Sequence, residues 1–168
     1  LAMLDWSIQQ TEHPVAIRVP ATGVAGSRSG DFPTDYEPEM NRFEMAHCGS
    51  GEAIIGVGNF FDLAVTVAEQ LNQCGIDATV VNFVSALVST RAIEDLRDSH
   101  SLVVTLEDVV LDGGYGEKIA RYYGESEMRV MCRGVRKKFI DRYNVGEEYA
   151  ANRLTPDQIT ADLLEILN

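Results

Sequence analysis

The chain has 168 residues, a formal net charge of −12 and a pI of about 4.6, a balance that argues against nucleic acid or an anionic membrane surface as its main partner. Its 45% hydrophobic content is enough for one core of ordinary size. No apolar run approaches the roughly 20 residues of a membrane-spanning helix, no signal peptide is visible, and Cys48, Cys74 and Cys132 lie far apart without paired spacing. Such cysteines suit reduced, buried thiols in a cytoplasmic protein better than a disulfide framework or a zinc site.

Leu1 to Ile8 reads as a helix already under way, with no capping residue and no initiator methionine before it. His13-Pro14 then leads into a short strand, Val15 to Val19. One helix and one strand cannot bury themselves, so residues 1–19 are expected to be the tail end of an upstream domain. Residues 20–42 carry Pro20, Gly23, Gly26, Gly30, Pro33 and Pro38 with few large apolar side chains, the composition of an interdomain linker. The domain proper is expected over residues 43–168.

Phe43 to Cys48 and Ala53 to Val57 read as strands joined by a hairpin-compatible turn, Gly49-Ser50-Gly51-Glu52, which predicts an antiparallel first pairing. A helix follows from about Phe60 to Gln73. Phe60, Ala64, Val67, Ala68 and Leu71 repeat at the spacing of one buried face, and Gly75 is placed to end the helix in the left-handed region. Ile76 to Phe83 is the next strand, and Ser89 or Thr90 can cap a helix through Ile93 and Leu96 that ends near Ser99-His100.

Leu102 to Leu106 is a β-branched-rich run without polar alternation, as expected of a strand buried on both faces of a parallel sheet. Acidic residues follow it, then Gly113-Gly114-Tyr115-Gly116, then a helix on which Ile119, Ala120 and Tyr123 share a face. A short strand, Met128 to Cys132, precedes an irregular section through Asn152. A last helix opens with Thr155 as N-cap and Pro156 in the first helical position. Strands alternating with helices predict an α/β fold, a three-layer α/β/α sandwich with a mixed, mostly parallel sheet.

Several candidate sites stand out, each with a plainer reading beside it. Gly56 and Gly58 sit where a dinucleotide fingerprint would, yet no third glycine stands at Phe61 and no acidic residue ends the next strand; glycines permitting a tight strand-to-helix turn suffice. The Gly113 to Gly116 loop can offer backbone N–H groups to an anion, but Asp112 and Glu117 flank it, and close helix packing is the better reading. Glu107 and Asp108 suit an acid/base pair in type, yet neighbours on a strand point to opposite faces, which favours capping or an interdomain contact.

His13, His47 and His100 have no metal-ligand spacing, and no catalytic constellation assembles. The basic run Arg129, Arg133, Arg136, Lys137, Lys138 and Arg142 reads as a solvated face or as a docking surface for an acidic partner. Arg18, near the end of a strand and just before Pro20, can clamp a phosphate or carboxylate, or form an ordinary interdomain salt bridge.

Taken in order, Pro14-Val15-Ala16-Ile17-Arg18-Val19-Pro20, the helix and strand from Ala64 to Phe83, and Ser99-His100 followed by Val104-Thr105-Leu106-Glu107 resemble the carboxyl-terminal part of the transketolase-like thiamin diphosphate enzymes. Gly113-Gly114-Tyr115-Gly116 and Gly134 through Phe139-Ile140 extend the match, and among these enzymes the 1-deoxy-D-xylulose-5-phosphate synthase family is the most similar. The resemblance implies that residues 1–19 end a pyrimidine-binding domain and that residues 43–168 form the third, carboxyl-terminal domain. It also implies a homodimer with thiamin diphosphate and magnesium held between the first two domains of the full-length enzyme, no cofactor in this portion, and Arg18 as a residue that helps hold the substrate phosphate.

The chain departs from the family pattern at Ala21-Thr22, at Ser85-Ala86-Leu87-Val88 and at Arg136-Lys137, changes that spare the fold and bear on the substrate. A related domain of the 2-oxo acid dehydrogenases docks a partner acyltransferase, which is the alternative role the basic run suggests.

Overall fold

Alternation along the central strands decides the architecture. In the computed structural model, which describes residues 2–17, 43–83, 90–139, 141 and 144–167, Ile54, Val80 and Val104 face one side of the sheet while Ala53, Ile55, Val81 and Val103 face the other, and all are buried. Two apolar faces need two covers. On one side Ala64, Val67 and Leu71 of helix α2 (Phe61–Gln73) pack with Ile159 and Leu163 of α6 (Pro156–Leu167). On the other, Ile93 and Leu96 of α3 (Thr90–Arg97) pack with Ile119 and Tyr123 of α4 (Tyr115–Tyr123). The result is the expected α/β/α sandwich.

The sheet consists of β1 (Phe43–His47), β2 (Gly51–Val57), β3 (Thr79–Phe83), β4 (His100–Val110) and β5 (Arg129–Val135), in the spatial order β1-β3-β2-β4-β5. Among the described residues all pairings are parallel except β1 with β3. The predicted hairpin between β1 and β2 does not form, because β3 lies between them. Gly49 explains the crossing: its N–H donates to Thr79 Oγ1 at 2.9 Å, and a Cβ there would lie 1.9 Å from the Asp77 carbonyl oxygen. The chain passes directly over the start of β3, and only glycine permits so close an approach.

Other boundaries shift for physical reasons. The amino-terminal helix α1 (Ala2–Gln9) forms, but Val15 to Ile17 make no strand; Arg18, the 20–42 stretch and Ser85 to Ser89 lie outside the described residues. β4 runs four residues past the predicted end at Leu106, so Glu107 and Asp108 lie within the strand rather than in a turn after it.

The section before Asn152 contains a helix, α5 (Val145–Ala151), capped by Asn144, whose Oδ1 accepts from Gly146 N at 3.1 Å and Glu147 N at 3.3 Å. None of its residues is buried, and Tyr149 meets the core through an edge-to-face contact with Phe60, which is why apolar periodicity gives no sign of it. Cys48 and Cys74 are exposed, not buried, since one follows an edge strand and the other ends α2. Gly75 does end α2 as expected, with φ +85° and Ile76 N donating back to the Leu71 carbonyl at 3.0 Å.

Candidate functional site

From β2 the chain crosses to β3 on one side, and from β4 it crosses to β5 on the other, so the direction of winding reverses between β2 and β4. Ligand sites of open α/β sheets gather at the carboxyl ends of strands at such a point. Here a cleft of about 510 Å³ opens there. Its apolar lining is Val57, Phe83, Val109, Val110 and Tyr115, with Phe83 and Tyr115 ring centroids 4.3 Å apart. Asp112 and Lys118 bring opposite charges to the rim.

The floor of this cleft is the junction of β4 with α4. Glu107 is only 1% exposed, and its carboxylate turns toward the start of α4, where Oε2 accepts from Tyr115 N at 2.6 Å and Oε1 accepts from Gly116 N at 2.8 Å. Free N–H groups and the helix dipole make this terminus a place for negative charge. The protein's own side chain supplies it. The glycines are what let it in: a Cβ on Gly114 would lie 2.7 Å from Glu107 Oε2, and one on Gly116 would lie 2.5 Å from Thr105 Oγ1 and 2.8 Å from Cys132 Sγ. Close packing, the plainer of the two readings of this loop, therefore accounts for its glycines, and the anion at the helix start is internal.

The neighbouring acids are also committed. Asp108 Oδ2 accepts from Asn59 Nδ2 at 3.0 Å, away from Glu107, so the two carboxylates form no pair, as strand alternation predicts. Glu117 Oε2 accepts from Gly113 N at 2.8 Å across the turn in which Gly113 adopts φ +78°. Gly56 and Gly58 serve the β2-to-α2 turn: a Cβ on Gly56 would lie 2.5 Å from the Phe61 Cα, and Gly58 has φ +60°. Burial raises the Cys132 thiol above its ordinary pKa, which keeps it protonated and a poor nucleophile. Burial likewise raises Tyr115, whose hydroxyl has no hydrogen-bond partner among the described residues.

The histidines hold structure together. His47 Nε2 pairs with Asp77 Oδ1 at 2.6 Å, and His100 bridges the Leu96 carbonyl near the end of α3 to Thr79 Oγ1 at the start of β3. The basic run is divided. Arg133 Nη2 donates to Asp162 Oδ2 at 2.7 Å, Arg153 donates to both oxygens of the same carboxylate, and Lys138 pairs with Glu148 at 2.9 Å. Arg136 and Lys137 stay exposed at the carboxyl end of the sheet, Arg129 lies at the opposite end of β5, and Arg142 is not among the described residues.

Sequence reasoning misses Val109 and Val110, because it ends the strand before the acidic pair, and it attaches no role to Lys118 or Phe139. The two valines are the available signal, being β-branched and apolar just past Asp108.

Among the described residues no group of three or more His, Cys, Asp or Glu side chains is placed to hold a metal ion, and no helix is long and apolar enough to cross a membrane. The arrangement does not fit a magnesium-bound diphosphate: the helix terminus facing the cleft is filled by Glu107, Glu117 and Asp108 accept from a backbone and an amide donor, and Asp112 faces Lys137 Nζ at 4.0 Å.

Residues 44–159 match the family model described as transketolase, C-terminal domain. Among similar proteins, the 1-deoxy-D-xylulose-5-phosphate synthase of Rippkaea orientalis is 31% identical over 172 residues and that of Shouchella clausii 27% identical over 168, each covering 98% of this chain. The chain spans about a quarter of these relatives, 26% of their length. Among solved structures, the inactive beta4 tetramer of a split gene transketolase superposes with a TM-score of 0.71 at 24% identity, covering 85% of this chain and 45% of that one. A transketolase mutant from Pichia stipitis gives 0.53 at 14% identity, covering 74% and 18%. These superpositions agree with the sandwich described above.

Proposed function

The chain belongs to the transketolase carboxyl-terminal domain family, and from that premise we propose that it is the third domain of a thiamin diphosphate-dependent 1-deoxy-D-xylulose-5-phosphate synthase or a related transketolase. The observation that carries the reading is the alignment with named synthases along 98% of the chain, at a share of only 26% of their length. In this reading residues 1–19 end the pyrimidine-binding domain and residues 20–42 link it to the third domain. Arg18 helps hold the substrate phosphate. Thiamin diphosphate and magnesium belong to the rest of a cytoplasmic, homodimeric enzyme that transfers a ketol unit to a sugar phosphate.

The engaged state of Glu107, Asp108, Glu117 and Arg133 supports a structural role for this domain over carbanion chemistry of its own. A chimera tests the reading. The matched quarter of the Rippkaea orientalis synthase is replaced by residues 1–168 of this chain, and synthase turnover is measured. Turnover that is abolished in turn by Arg18→Ala is the expected result. A folded chimera that binds thiamin diphosphate yet makes no product would contradict the synthase assignment.

A further inference from the structure

We propose that the cleft at the carboxyl ends of β2, β3 and β4 binds a small flat carboxylate, an apolar ring lying between its walls with the charge at the rim beside Lys118. The inference goes beyond the synthase reading and does not depend on it.

The walls decide the apolar half of the ligand. Val57, Phe83, Val109, Val110 and Tyr115 line a space of about 510 Å³, a size that suits a small molecule. Val109 and Val110 are 38% and 37% exposed, so apolar surface remains there for a guest to cover. The rings of Phe83 and Tyr115 already pack at 4.3 Å with 35° between their planes, and an aromatic guest extends that arrangement. Gly58, Gly113 and Gly114 bring backbone without side chains to the lining, which keeps the space open.

The polar half follows from which groups are left over. Both acids that line the cleft already have partners: Glu107 caps α4 with its two oxygens, and Asp112 Oδ2 lies 4.0 Å from Lys137 Nζ. Lys118 lines the cleft and is exposed, and among the described residues it makes no ion pair or hydrogen bond. Tyr115 is only 7% exposed, yet its hydroxyl has no acceptor among the described residues, and a buried polar group left unpaired calls for one. Both leftover groups donate, so the guest must accept. Glu107 at the floor repels a negative charge placed deep, which sets the carboxylate at the rim and the ring inside.

Titration of 2-naphthoate into the 168-residue chain, followed by its amide NMR spectrum, tests the proposal, with 2-naphthylmethylammonium as a cation of similar shape. Salt at about 0.1 M screens the chain's net charge of −12 beyond roughly 10 Å, leaving the local charges to decide. The expected result is saturable shifts at Val110, Gly113 and Lys118 with a Kd of about 1 mM or below, and binding of the cation about 5-fold weaker or more. Lys118→Glu should erase that preference, and Tyr115→Phe should weaken naphthoate by about 2- to 10-fold, each with the rest of the spectrum unchanged. No saturable shift at the cleft, a cation bound as tightly as the carboxylate, or variants that bind naphthoate like their parent overturn the proposal. Because neither thiamin diphosphate nor turnover enters the measurement, its failure is separate from failure of the synthase reading.

Discussion

Gly116 donates its backbone N–H to Glu107 Oε1 at 2.8 Å, and Tyr115 donates to the other oxygen of the same carboxylate at 2.6 Å. Two orphan donors of α4 are thereby satisfied by one buried side chain from β4, which fixes the angle between strand and helix and forms the base of the cleft. Replacing Glu107 by glutamine turns an acceptor into a donor that faces a backbone N–H. Glu107→Gln should cost about 2–3 kcal/mol and lower Tm by roughly 5–10 °C. Asp108→Asn, at a more exposed site bonded to Asn59, should stay within about 0.5 kcal/mol. Thermal unfolding followed by circular dichroism separates the two, and equal losses would deny the capping role.

The same junction predicts which glycines tolerate a methyl group. Gly116→Ala places a Cβ against Thr105, Cys132 and Glu107, and should destabilise by about 1–3 kcal/mol. Gly146→Ala in α5, where the nearest atom to a Cβ is Asn144 Oδ1 at 3.6 Å, should be neutral or raise stability by up to about 1 kcal/mol. Urea midpoints of the two variants check the contrast.

Two buried tyrosines are predicted to respond in opposite ways to losing a hydroxyl. Tyr123 donates to the Ile93 carbonyl at 2.6 Å, tying α4 to α3, so Tyr123→Phe should cost about 1 kcal/mol. Tyr115 has no partner for its hydroxyl among the described residues, so Tyr115→Phe should be neutral or slightly stabilising. Chemical denaturation measures both.

Asp162 receives hydrogen bonds from Arg153 and Arg133, and these hold its carboxyl below the ordinary range against the opposing effect of burial. A group whose folded-state pKa is depressed contributes stability that is fully present above its unfolded value of about 3.9 and is lost as pH falls through the folded value. Asp162→Asn should therefore be markedly less stable than the parent near neutral pH, with the difference shrinking as acid is added below about pH 4. Urea unfolding across that range checks the sign: a difference that grows on acidification would contradict the assignment.

Local patterns make most of the fold legible. The 3.6-residue repeat of α2, the glycine that ends it, the Thr155-Pro156 start of α6 and the β-branched-rich run of β4 each act within a few residues, so the chain states them directly. Strand order is another matter. Whether β1 pairs with β2 or with β3 depends on a crossing that Gly49 permits but does not announce, and a hairpin-like turn spells the wrong partner. At the site, the capping role of Glu107 is legible as one of two readings, because strand alternation separates it from Asp108. That its donors are the N–H groups of Tyr115 and Gly116 depends on how α4 docks, which no local pattern encodes.

Titrating thiamin diphosphate with magnesium into the 168-residue chain by isothermal calorimetry bears most directly on the claim that this domain supports, rather than performs, the cofactor chemistry. The account predicts no saturable heat, since the helix terminus that faces the cleft is already held by Glu107. A one-to-one isotherm with micromolar affinity would contradict it.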